Sequence, residues 1–244
     1  EKDHPRDNHN NVFRTFLRDE QGNLLQSVDA NGLLTAYTYG ANSRLASVYP
    51  GQAHFGLGGN WSGHFGIQGT VLCAHGSDGQ DESQLPNFVA EIVKGEEVLD
   101  SPSGFDLESS ALLSPQVLDG ARRVGRWTSL EQSLSFSLEL NQACAFNLSL
   151  YTNSLDQYSD PGQSLDYPEF FGREIEITVE DSRELQTFRV TQNASGVWVT
   201  FPVVGEETRP VTVTLTCPQD QHRPCLSAIA FDPYEDRRQE TYYG

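Results

Sequence analysis

The side chains best suited to chemistry in this chain are carboxylates that lie close together in two polar segments. Asp78, Asp81 and Glu82 fall within five residues, and Asp156 and Asp160 begin a second acidic stretch. Calcium takes roughly six to eight oxygen ligands, many of them from flexible acidic loops. Neither segment has the spacing of an EF-hand. We predict a bound Ca²⁺ at one of them, with solvated surface acids as the alternative.

Three aromatic residues are candidates for a glycan-binding platform. Trp61 lies in a glycine-rich segment, Trp127 follows Arg126, and Tyr158 lies in the second acidic stretch. An exposed ring can stack on the apolar face of a sugar while its neighbours bind the hydroxyl groups. The alternative for each tryptophan is a ring that seals one end of a hydrophobic core.

No arrangement of residues typical of a catalytic centre is present. The sequence has no nucleophile elbow, no H-E-x-x-H pair and no phosphate-binding glycine loop. His54, His64 and His75 lie close enough in sequence to meet at a metal, but three loop histidines are the simpler interpretation. Carboxylate pairs suited to glycoside hydrolysis are unavoidable among 34 acidic residues. We therefore predict that the protein is not an enzyme.

Charge and hydropathy argue against nucleic acid as a partner and against a membrane-spanning helix. The chain has 244 residues, with 16 Lys and Arg against 34 Asp and Glu, so its formal net charge is −18. A surface this acidic repels phosphate backbones, which argues against nucleic acid as a partner. No apolar run approaches the roughly 20 residues that a membrane-spanning helix needs. The apolar content still suffices for a packed core.

Four cysteines, an even number, favour two disulfides formed in an oxidising compartment. They are Cys73, Cys144, Cys217 and Cys225. Cys217 and Cys225 flank a short polar loop with two prolines, which favours a disulfide across a hairpin and leaves Cys73 and Cys144 as the second pair. Four reduced, buried thiols are the alternative. Zinc is disfavoured because no C-x-x-C knuckle occurs.

Three sequons suggest N-glycosylation and agree with an extracellular location. Asn60, Asn147 and Asn193 each precede a serine by two positions. Asn193 lies in a turn-like segment and is the best acceptor. Asn147 lies within a strand-like run and could carry a glycan only if its side chain faced solvent. An unmodified asparagine is the alternative at each site.

The elements that must position these residues are short β-strands. Apolar and polar residues alternate with period two in several segments, as expected of antiparallel sheets with one solvated face. No apolar helical spacing is sustained over three turns, so the pattern indicates an all-β sandwich or jelly roll. Strands are predicted at Thr70–Ala74, Phe88–Val93, Leu134–Leu140, Ala145–Tyr151, Glu174–Glu180, Gln186–Thr191, Val197–Val203, Val211–Thr216 and Ala228–Phe231.

The first 50 residues have a different rhythm, with short strand-like pieces separated by turns at 21–23, 31–32 and 40–42. This segment resembles the RHS/YD-repeat family, in which an acidic residue, a glycine and a hydrophobic residue recur with a T-x-Y-x-Y pattern between them. The resemblance implies β-hairpins that stack side by side and implies no active site. Its matching residues are Asp19, Gly22, Leu24, Asp29, Gly32, Leu33, Thr35, Tyr37 and Tyr39.

The following region resembles the jelly-roll, galactose-binding-like modules that accompany YD repeats in surface proteins. The resemblance implies a non-catalytic module that binds glycans. Leu155 stands where an aromatic residue would help to stack a sugar, which weakens the prediction of binding at that loop. The matching pieces are GGNWSGHFGIQG, FNLSLYTNSLD, REIEITVED, GVWVTFPVVG and LSAIAFDP.

We therefore predict a repeat-like hairpin segment at 1–50, an antiparallel jelly-roll sandwich at 51–233 and a strand-like tail at 234–244. A repeat hairpin cannot bury its apolar face alone. The strands that hold Tyr37 and Tyr39, and the tail with Tyr242 and Tyr243, are expected to dock on other copies of the protein. The predicted function is an extracellular, non-enzymatic fibre or surface assembly. The alternative is a carbohydrate-binding module of a larger YD-repeat protein.

Overall fold

Most of the residues that the structure describes lie in β-strands. The computed structural model describes residues 15–28, 33–39, 43–54, 61–76, 78–103, 112–113, 122–152, 174–191, 196–218, 223–235 and 239–240. Among these residues no helix is long and apolar enough to span a membrane. The strands are β1 Thr15–Arg18, β2 Leu24–Val28, β3 Leu33–Tyr39, β4 Leu45–His54, β5 Gly69–Leu72, β6 Glu82–Gln84, β7 Val89–Lys94, β8 Val98–Ser103, β9 Leu112–Leu113, β10 Arg122–Ser129, β11 Ser133–Leu140, β12 Cys144–Thr152, β13 Glu174–Glu180, β14 Leu185–Thr191, β15 Val197–Gly205, β16 Val211–Thr216, β17 Cys225–Leu226, β18 Ala228–Pro233 and β19 Gln239–Glu240.

The chain divides into two compact units. One contains residues 1–56 and 237–244, and the other contains residues 57–236. We name them the repeat unit and the jelly-roll unit. The division lies a few residues from the predicted boundaries, and it assigns the end of the tail to the same unit as the first segment.

The repeat unit is an antiparallel sheet whose strands follow one another in the order β1, β2, β3, β4 and β19. Its first hairpin turns where the sequence predicts. Asp19 accepts hydrogen bonds from the backbone N–H groups of Gln21 and Asn23 at 3.0 and 2.7 Å. Gly22 has a φ of +86°, a conformation that glycine adopts without steric cost.

The jelly-roll unit is a sandwich of two five-stranded antiparallel sheets. One has the order β15-β12-β18-β5-β6 and the other β14-β13-β16-β11-β7. The chain crosses from one sheet to the other between β11 and β12, between β12 and β13, and again around β15. This alternation is the jelly-roll arrangement, so the predicted fold class is confirmed. A smaller sheet, β17-β10-β8 with β9 beside β10, completes the unit.

The core of this unit comes from the alternating strands. In β11, Leu134, Phe136, Leu138 and Leu140 are buried and the residues between them are half-buried. Phe146 packs on Phe231 and Phe88, with ring centroids 5.8 and 4.9 Å apart. Each fully buried large side chain of this kind contributes about 1.5–3 kcal/mol.

All nine predicted strands are present, but β6, β8, β9, β10 and β17 were not predicted. β10 carries three arginines and a glycine, a composition that conceals its period-two pattern. Gly125 allows β10 to lie close to the backbone of Cys73 and Ala74, because a Cβ at this position would collide with that backbone. β8 contains Pro102, and proline argues against a strand in the sequence because it has no backbone N–H to donate to a neighbouring strand.

Candidate functional site

The glycine-rich segment that precedes β5 forms an ordered loop. The backbone N–H groups of His64 and Phe65 donate to the carbonyl of Trp61 at 2.9 and 3.2 Å, which makes a tight turn. Gly63 and Gly66 have φ angles of +83° and +81°. We refer to residues 61–68 as the aromatic loop.

Four aromatic rings meet beneath this loop. Phe65 stacks on Trp198 with ring centroids 4.5 Å apart and an interplanar angle of 20°. Trp61 and Tyr151 lie 6.2 and 5.1 Å from the same indole. Trp61, Tyr151 and Trp198 are buried, whereas Phe65 is half-buried. The aromatic loop therefore packs two rings, Trp61 and Phe65, against Trp198 of β15, and part of the Phe65 ring stays exposed to solvent.

Asp232, in β18, fixes the other end of the aromatic loop. Its carboxylate accepts hydrogen bonds from the backbone N–H groups of Gly66 and Ile67 at 3.1 and 2.8 Å. The N–H of Gln68 donates to the carbonyl of Phe231 at 2.9 Å. Such anchoring holds the loop in one conformation, although the side chain of Ile67 is 75% exposed. Sequence reasoning missed the roles of Phe65 and Asp232, because no local pattern joins residues so distant in the chain.

The predicted tryptophan platforms are corrected by the structure. Trp61 and Trp127 are 4% and 1% exposed, so neither presents an open ring face to a ligand. Both rings instead close parts of the core, which is the alternative that the sequence left open. The two tryptophans are buried because burial removes far more apolar area from water than stacking one ring face on a sugar would. Tyr158 lies outside the described residues.

Trp127 belongs to a polar network centred on Asp81. Oδ1 of Asp81 accepts hydrogen bonds from the indole Nε1 of Trp127 at 2.8 Å and from the backbone N–H of Ala74 at 2.7 Å. Lys94 lies 2.9 Å from Oδ2 of Asp81 and 2.6 Å from Asp100, and its ammonium sits 4.6 Å from the centre of the Trp127 ring. Partial burial alone would lower the pKa of Lys94, but the hydrogen bonds and charges of Asp100 and Asp81 raise it above 10.5.

The acidic residues of the first predicted calcium loop have separate partners. Asp81 is engaged as described, and Oδ1 of Asp78 accepts the N–H of Gln80 at 3.1 Å. Glu82 lies 3.5 Å from Nδ1 of His75, whose Nε2 is 3.4 Å from the carbonyl oxygen of Leu112. Across the part of the chain that the structure describes, no group of three or more His, Cys, Asp or Glu residues could hold a metal ion. Asp156 and Asp160 lie outside that part, so calcium there stays a prediction.

The disulfide prediction is not supported, because none of the four cysteines forms a disulfide in the structure. Cys73, Cys217 and Cys225 are buried as thiols, and Cys144 is half-buried. Burial raises the pKa of the Cys73 thiol well above 9.0, and it also raises that of Cys144. A buried cysteine can pack as a small apolar side chain, a role that a count of cysteines cannot distinguish from a disulfide.

The predicted glycosylation of Asn147 is also corrected. Asn147 lies in β12 and is 4% exposed, so an oligosaccharide transferase could not reach it in the folded chain. Its Oδ1 is buried without a hydrogen-bond partner. Asn60 and Asn193 lie outside the described residues.

The strands predicted to join other copies are paired within the chain. β3, which holds Tyr37 and Tyr39, is hydrogen-bonded to β2 on one side and to β4 on the other. It therefore has no free edge for strand addition, which corrects the prediction for this strand. Gln239 and Glu240 of the tail pair with Val48 and Ser47. Tyr242 and Tyr243 lie outside the described residues.

Comparison with known families identifies the first segment. The family model for the RHS Repeat matches residues 18–53. These residues run from the last residue of β1 into β4, so the predicted resemblance to RHS repeats is confirmed. The match covers a minor part of the chain, and no curated protein matches the sequence.

Comparison with solved structures finds an enzyme and several carbohydrate-binding modules. The exo-beta-1,3-galactanase of Phanerochaete chrysosporium is 12% identical over 62% of this chain and 30% of its own, with a TM-score of 0.30. The family 35 module from Clostridium thermocellum is 9% identical over 59% and 98%, with a TM-score of 0.30. The family 32 module of NanJ from C. perfringens, in complex with galactose, is 16% identical over 58% and 100%, with a TM-score of 0.28. The chain spans less than a third of the galactanase's length.

Proposed function

We propose that this protein displays a non-catalytic, glycan-binding jelly-roll unit on a sheet of RHS repeats. The observation that carries the proposal is the path of the chain through the repeat sheet. β4 ends at His54, and β19 is its antiparallel neighbour, with Gln239 opposite Val48. Residues 57–236 are therefore inserted between two adjacent strands of one sheet.

This path supports a display function because β4 and β19 pair with each other although residues 57–236 separate them in the chain. Domains tolerate insertion where the ends of the inserted unit can lie close together at a surface. The jelly-roll unit is a compact body with a surface of its own. A fold by itself does not define an activity, so the function must lie in the exposed groups of that surface.

The aromatic loop is the best-formed candidate for the glycan contact. Phe65 is held against Trp198, and its neighbours Ser62, His64 and Gln68 are exposed. A half-exposed ring beside polar side chains can contact both the apolar face and the hydroxyl groups of a sugar. The hydrogen bonds to Asp232 fix the loop beforehand, so binding would order little additional backbone.

Charge favours neutral glycans as the ligand. Residues 57–236 contain 27 Asp and Glu against nine Lys and Arg. This excess repels uronic acids, sialic acids and sulfated sugars over distances of about a Debye length, roughly 8 Å at physiological salt. Neutral hexoses carry no such penalty. The sequence resemblance to galactose-binding-like modules makes neutral galactosides the first probes.

A glycan array with the full chain tests this proposal. We expect binding to neutral glycans, and we expect Phe65→Ala to weaken it by about tenfold through loss of the stacking surface. Phe16→Ala, at an exposed phenylalanine of β1, is the matched control and should bind as the unaltered protein does. Absence of any glycan signal, or full binding by Phe65→Ala, would overturn the proposal.

A second candidate function is self-assembly through strand addition. Among the described residues β1 pairs with β2 alone, and its Phe16 is 59% exposed. An open strand edge with an apolar side chain can pair with another chain. Electron microscopy of the full chain and of a form without residues 1–50 tests this. Fibres that disappear with the truncation support assembly, and monomers in both samples exclude it.

Two further proposals accompany the display function. Calcium binding by Asp156 and Asp160 is tested by calorimetric titration with Ca²⁺ after a chelator has removed metal from the protein. Absence of heat and an unchanged melting temperature would exclude it.

Extracellular display is supported by the RHS match. Surface labelling of the native source with a specific antibody tests that location.

A further inference from the structure

The outward face of the sheet β14-β13-β16-β11-β7 carries an unusual concentration of hydroxyl groups. Each of its central strands buries one set of residues and turns the alternate set outward. Where β16 pairs with β11, every outward-facing residue of the two strands is a threonine or a serine. The outward hydroxyl residues that pair across the four strands are Thr187, Thr178, Thr212, Thr214, Thr216, Ser133, Ser135 and Ser137. We call this surface the hydroxyl face.

The strand register arranges these residues in three parallel rows. The middle row runs Thr187, Thr178, Thr214, Ser135 across four strands without a charged side chain. The rows on either side join Glu176 to Thr216 and Ser133, and Glu180 to Thr212 and Ser137. Neighbouring strands lie about 4.8 Å apart, and outward residues recur about every 6.8 Å along a strand. The result is a regular grid on the order of 14 Å on a side.

Two arginines at the rim of the hydroxyl face partly neutralise its carboxylates. Arg189 lies 2.6 Å from Glu176 and 3.3 Å from Glu174, and Arg209 lies 2.6 Å from Glu180. On the opposite side, Ser135 donates to Glu97 at 2.5 Å. The middle row of the face therefore presents hydroxyl and methyl groups, whereas carboxylates lie in the adjacent rows and beside Ser135, within a unit whose total charge is strongly negative.

This composition matches one class of ligand better than others. A hydroxyl group both donates and accepts hydrogen bonds, and the threonine methyl group beside it packs on apolar C–H groups. Neutral polysaccharides present the same alternation of hydroxyl and C–H groups, repeated along each chain. Acidic polymers are disfavoured by the surrounding carboxylates. A grid three rows deep fits chains lying side by side rather than a single small sugar.

We propose that the hydroxyl face is a second contact surface of the jelly-roll unit, which binds neutral polysaccharide chains packed side by side in insoluble material. This inference rests on the proposed glycan-binding function and extends it from the aromatic loop to a separate surface. The aromatic loop would bind individual glycans, and the hydroxyl face would hold the unit on an extended polysaccharide surface.

Sedimentation of the full chain with insoluble polysaccharides tests the inference. The probes are microcrystalline cellulose, chitin and insoluble β-1,3-glucan, each compared with its soluble oligosaccharide. The combined substitution Thr178→Val, Thr212→Val and Thr214→Val removes three hydroxyl groups, keeps side-chain shape and retains strand propensity. We expect it to weaken adsorption by about tenfold or more, because the polysaccharide loses the hydrogen bonds of three hydroxyl groups.

Two matched controls accompany the triple variant. Replacing the same threonines with serine keeps the hydroxyl groups and should retain most of the adsorption. Thr208→Val makes the same chemical change at an exposed turn residue outside the face and should have no effect. Circular dichroism and the melting temperature establish that each variant is folded.

The possible outcomes separate this inference from the proposed function. Binding to soluble glycans on the array, without adsorption to any insoluble probe, overturns the hydroxyl face alone. Adsorption that the three valines leave unchanged or strengthen also overturns it. In sedimentation velocity, a dimer of the unaltered protein that dissociates in the triple variant would make the face an interface between copies and would also overturn the inference. Loss of adsorption in the valine variant and its retention in the serine variant support the inference.

Discussion

The repeat unit and the jelly-roll unit are both antiparallel β-structures, but their strands differ in how much they bury. In β2 every residue is half-buried. In β12 the seven residues from Phe146 to Thr152 are all buried. Among the repeat-unit residues whose side chains the structure describes, only Leu34, Ala36 and Ala53 belong to the buried hydrophobic set.

The two units also differ in net charge. Residues 1–56 and 237–244 contain seven Lys and Arg and seven Asp and Glu, so the net charge of −18 belongs entirely to residues 57–236. A jelly roll covers both faces of its core with its own sheets and can tolerate a highly charged exterior. A repeat sheet of a few half-buried strands gains less from burial and depends on the strands that continue it. Similar secondary structure therefore conceals different sources of stability.

The largest expected effect contrasts a leucine from each unit. Leu148→Ala in β12 should lower the free energy of unfolding by about 3 kcal/mol or more, because it leaves a cavity in a fully buried site. Leu24→Ala in half-buried β2 should cost about 1 kcal/mol. Urea unfolding followed by circular dichroism measures both. Equal losses would contradict the contrast between the units.

A second contrast concerns aspartates that organise each unit. Asp81→Ala leaves the indole N–H of Trp127 and the N–H of Ala74 without their acceptor, and should lower the free energy of unfolding by about 2–3 kcal/mol. Asp19→Ala removes a solvent-exposed turn contact and should cost clearly less. The midpoint of urea unfolding, with Asp78→Ala as an exposed control near Asp81, measures the difference. A larger loss for Asp19→Ala would reverse our interpretation.

The two units should also respond to pH at opposite ends of the scale. Hydrogen bonds, first from the Asn23 side chain, lower the pKa of Asp19 below 3.8, so its contribution is present above about pH 4 and is lost as pH falls through the folded-state pKa. The raised pKa of Lys94 gives a contribution that is full below about pH 10.4 and is lost as pH rises through the folded-state pKa.

Nuclear magnetic resonance titration of the amide signals around each residue measures this response. Asp19→Asn should flatten the acid-side change near the first turn, and Lys94→Met should flatten the alkaline-side change around Trp127. An alkaline response that persists unaltered in Lys94→Met would show that another group governs it.

The smallest expected effect lies on one strand of the jelly-roll unit. Asn147→Val removes a buried oxygen that lacks a hydrogen-bond partner, so stability should be unchanged or higher by less than about 1 kcal/mol. Ser149→Ala should cost about 1 kcal/mol, because Thr200 loses a partner 2.8 Å away. Thermal melting ranks the two variants. Mass spectrometry of protein secreted from eukaryotic cells should find Asn147 unmodified, and an occupied site would mean that β12 is exposed during folding or differs in structure.

Much of the strand pattern could be predicted because local alternation determines it. In β11, β13 and β16 the apolar residues recur every second position, and each strand was located within one residue of its observed bounds. The turn at Asp19 and Gly22 was also predictable, since a side chain near in sequence supplies its hydrogen bonds. β10 was missed because its pairing depends on a close contact of Gly125 with a distant segment.

The candidate site was less predictable, because its residues come from distant parts of the chain. Trp61 and Trp127 were recognised as important, but their burial depends on Trp198 and Asp81, which lie far away in sequence. The same limit applies to Phe65 and Asp232. The rows of the hydroxyl face depend on strand register, which alternation within one strand does not define.

The sequence by itself determined the class of secondary structure, the repeat-like character of the first segment and the acidity of the chain. These properties depend on residue type and on neighbours in sequence, so they can be predicted without knowledge of the fold. Only the tertiary structure decided which rings are buried, that the cysteines are thiols, and that β19 returns to pair with β4. Those outcomes depend on contacts between residues far apart in the chain, for which spacing along the sequence carries no information.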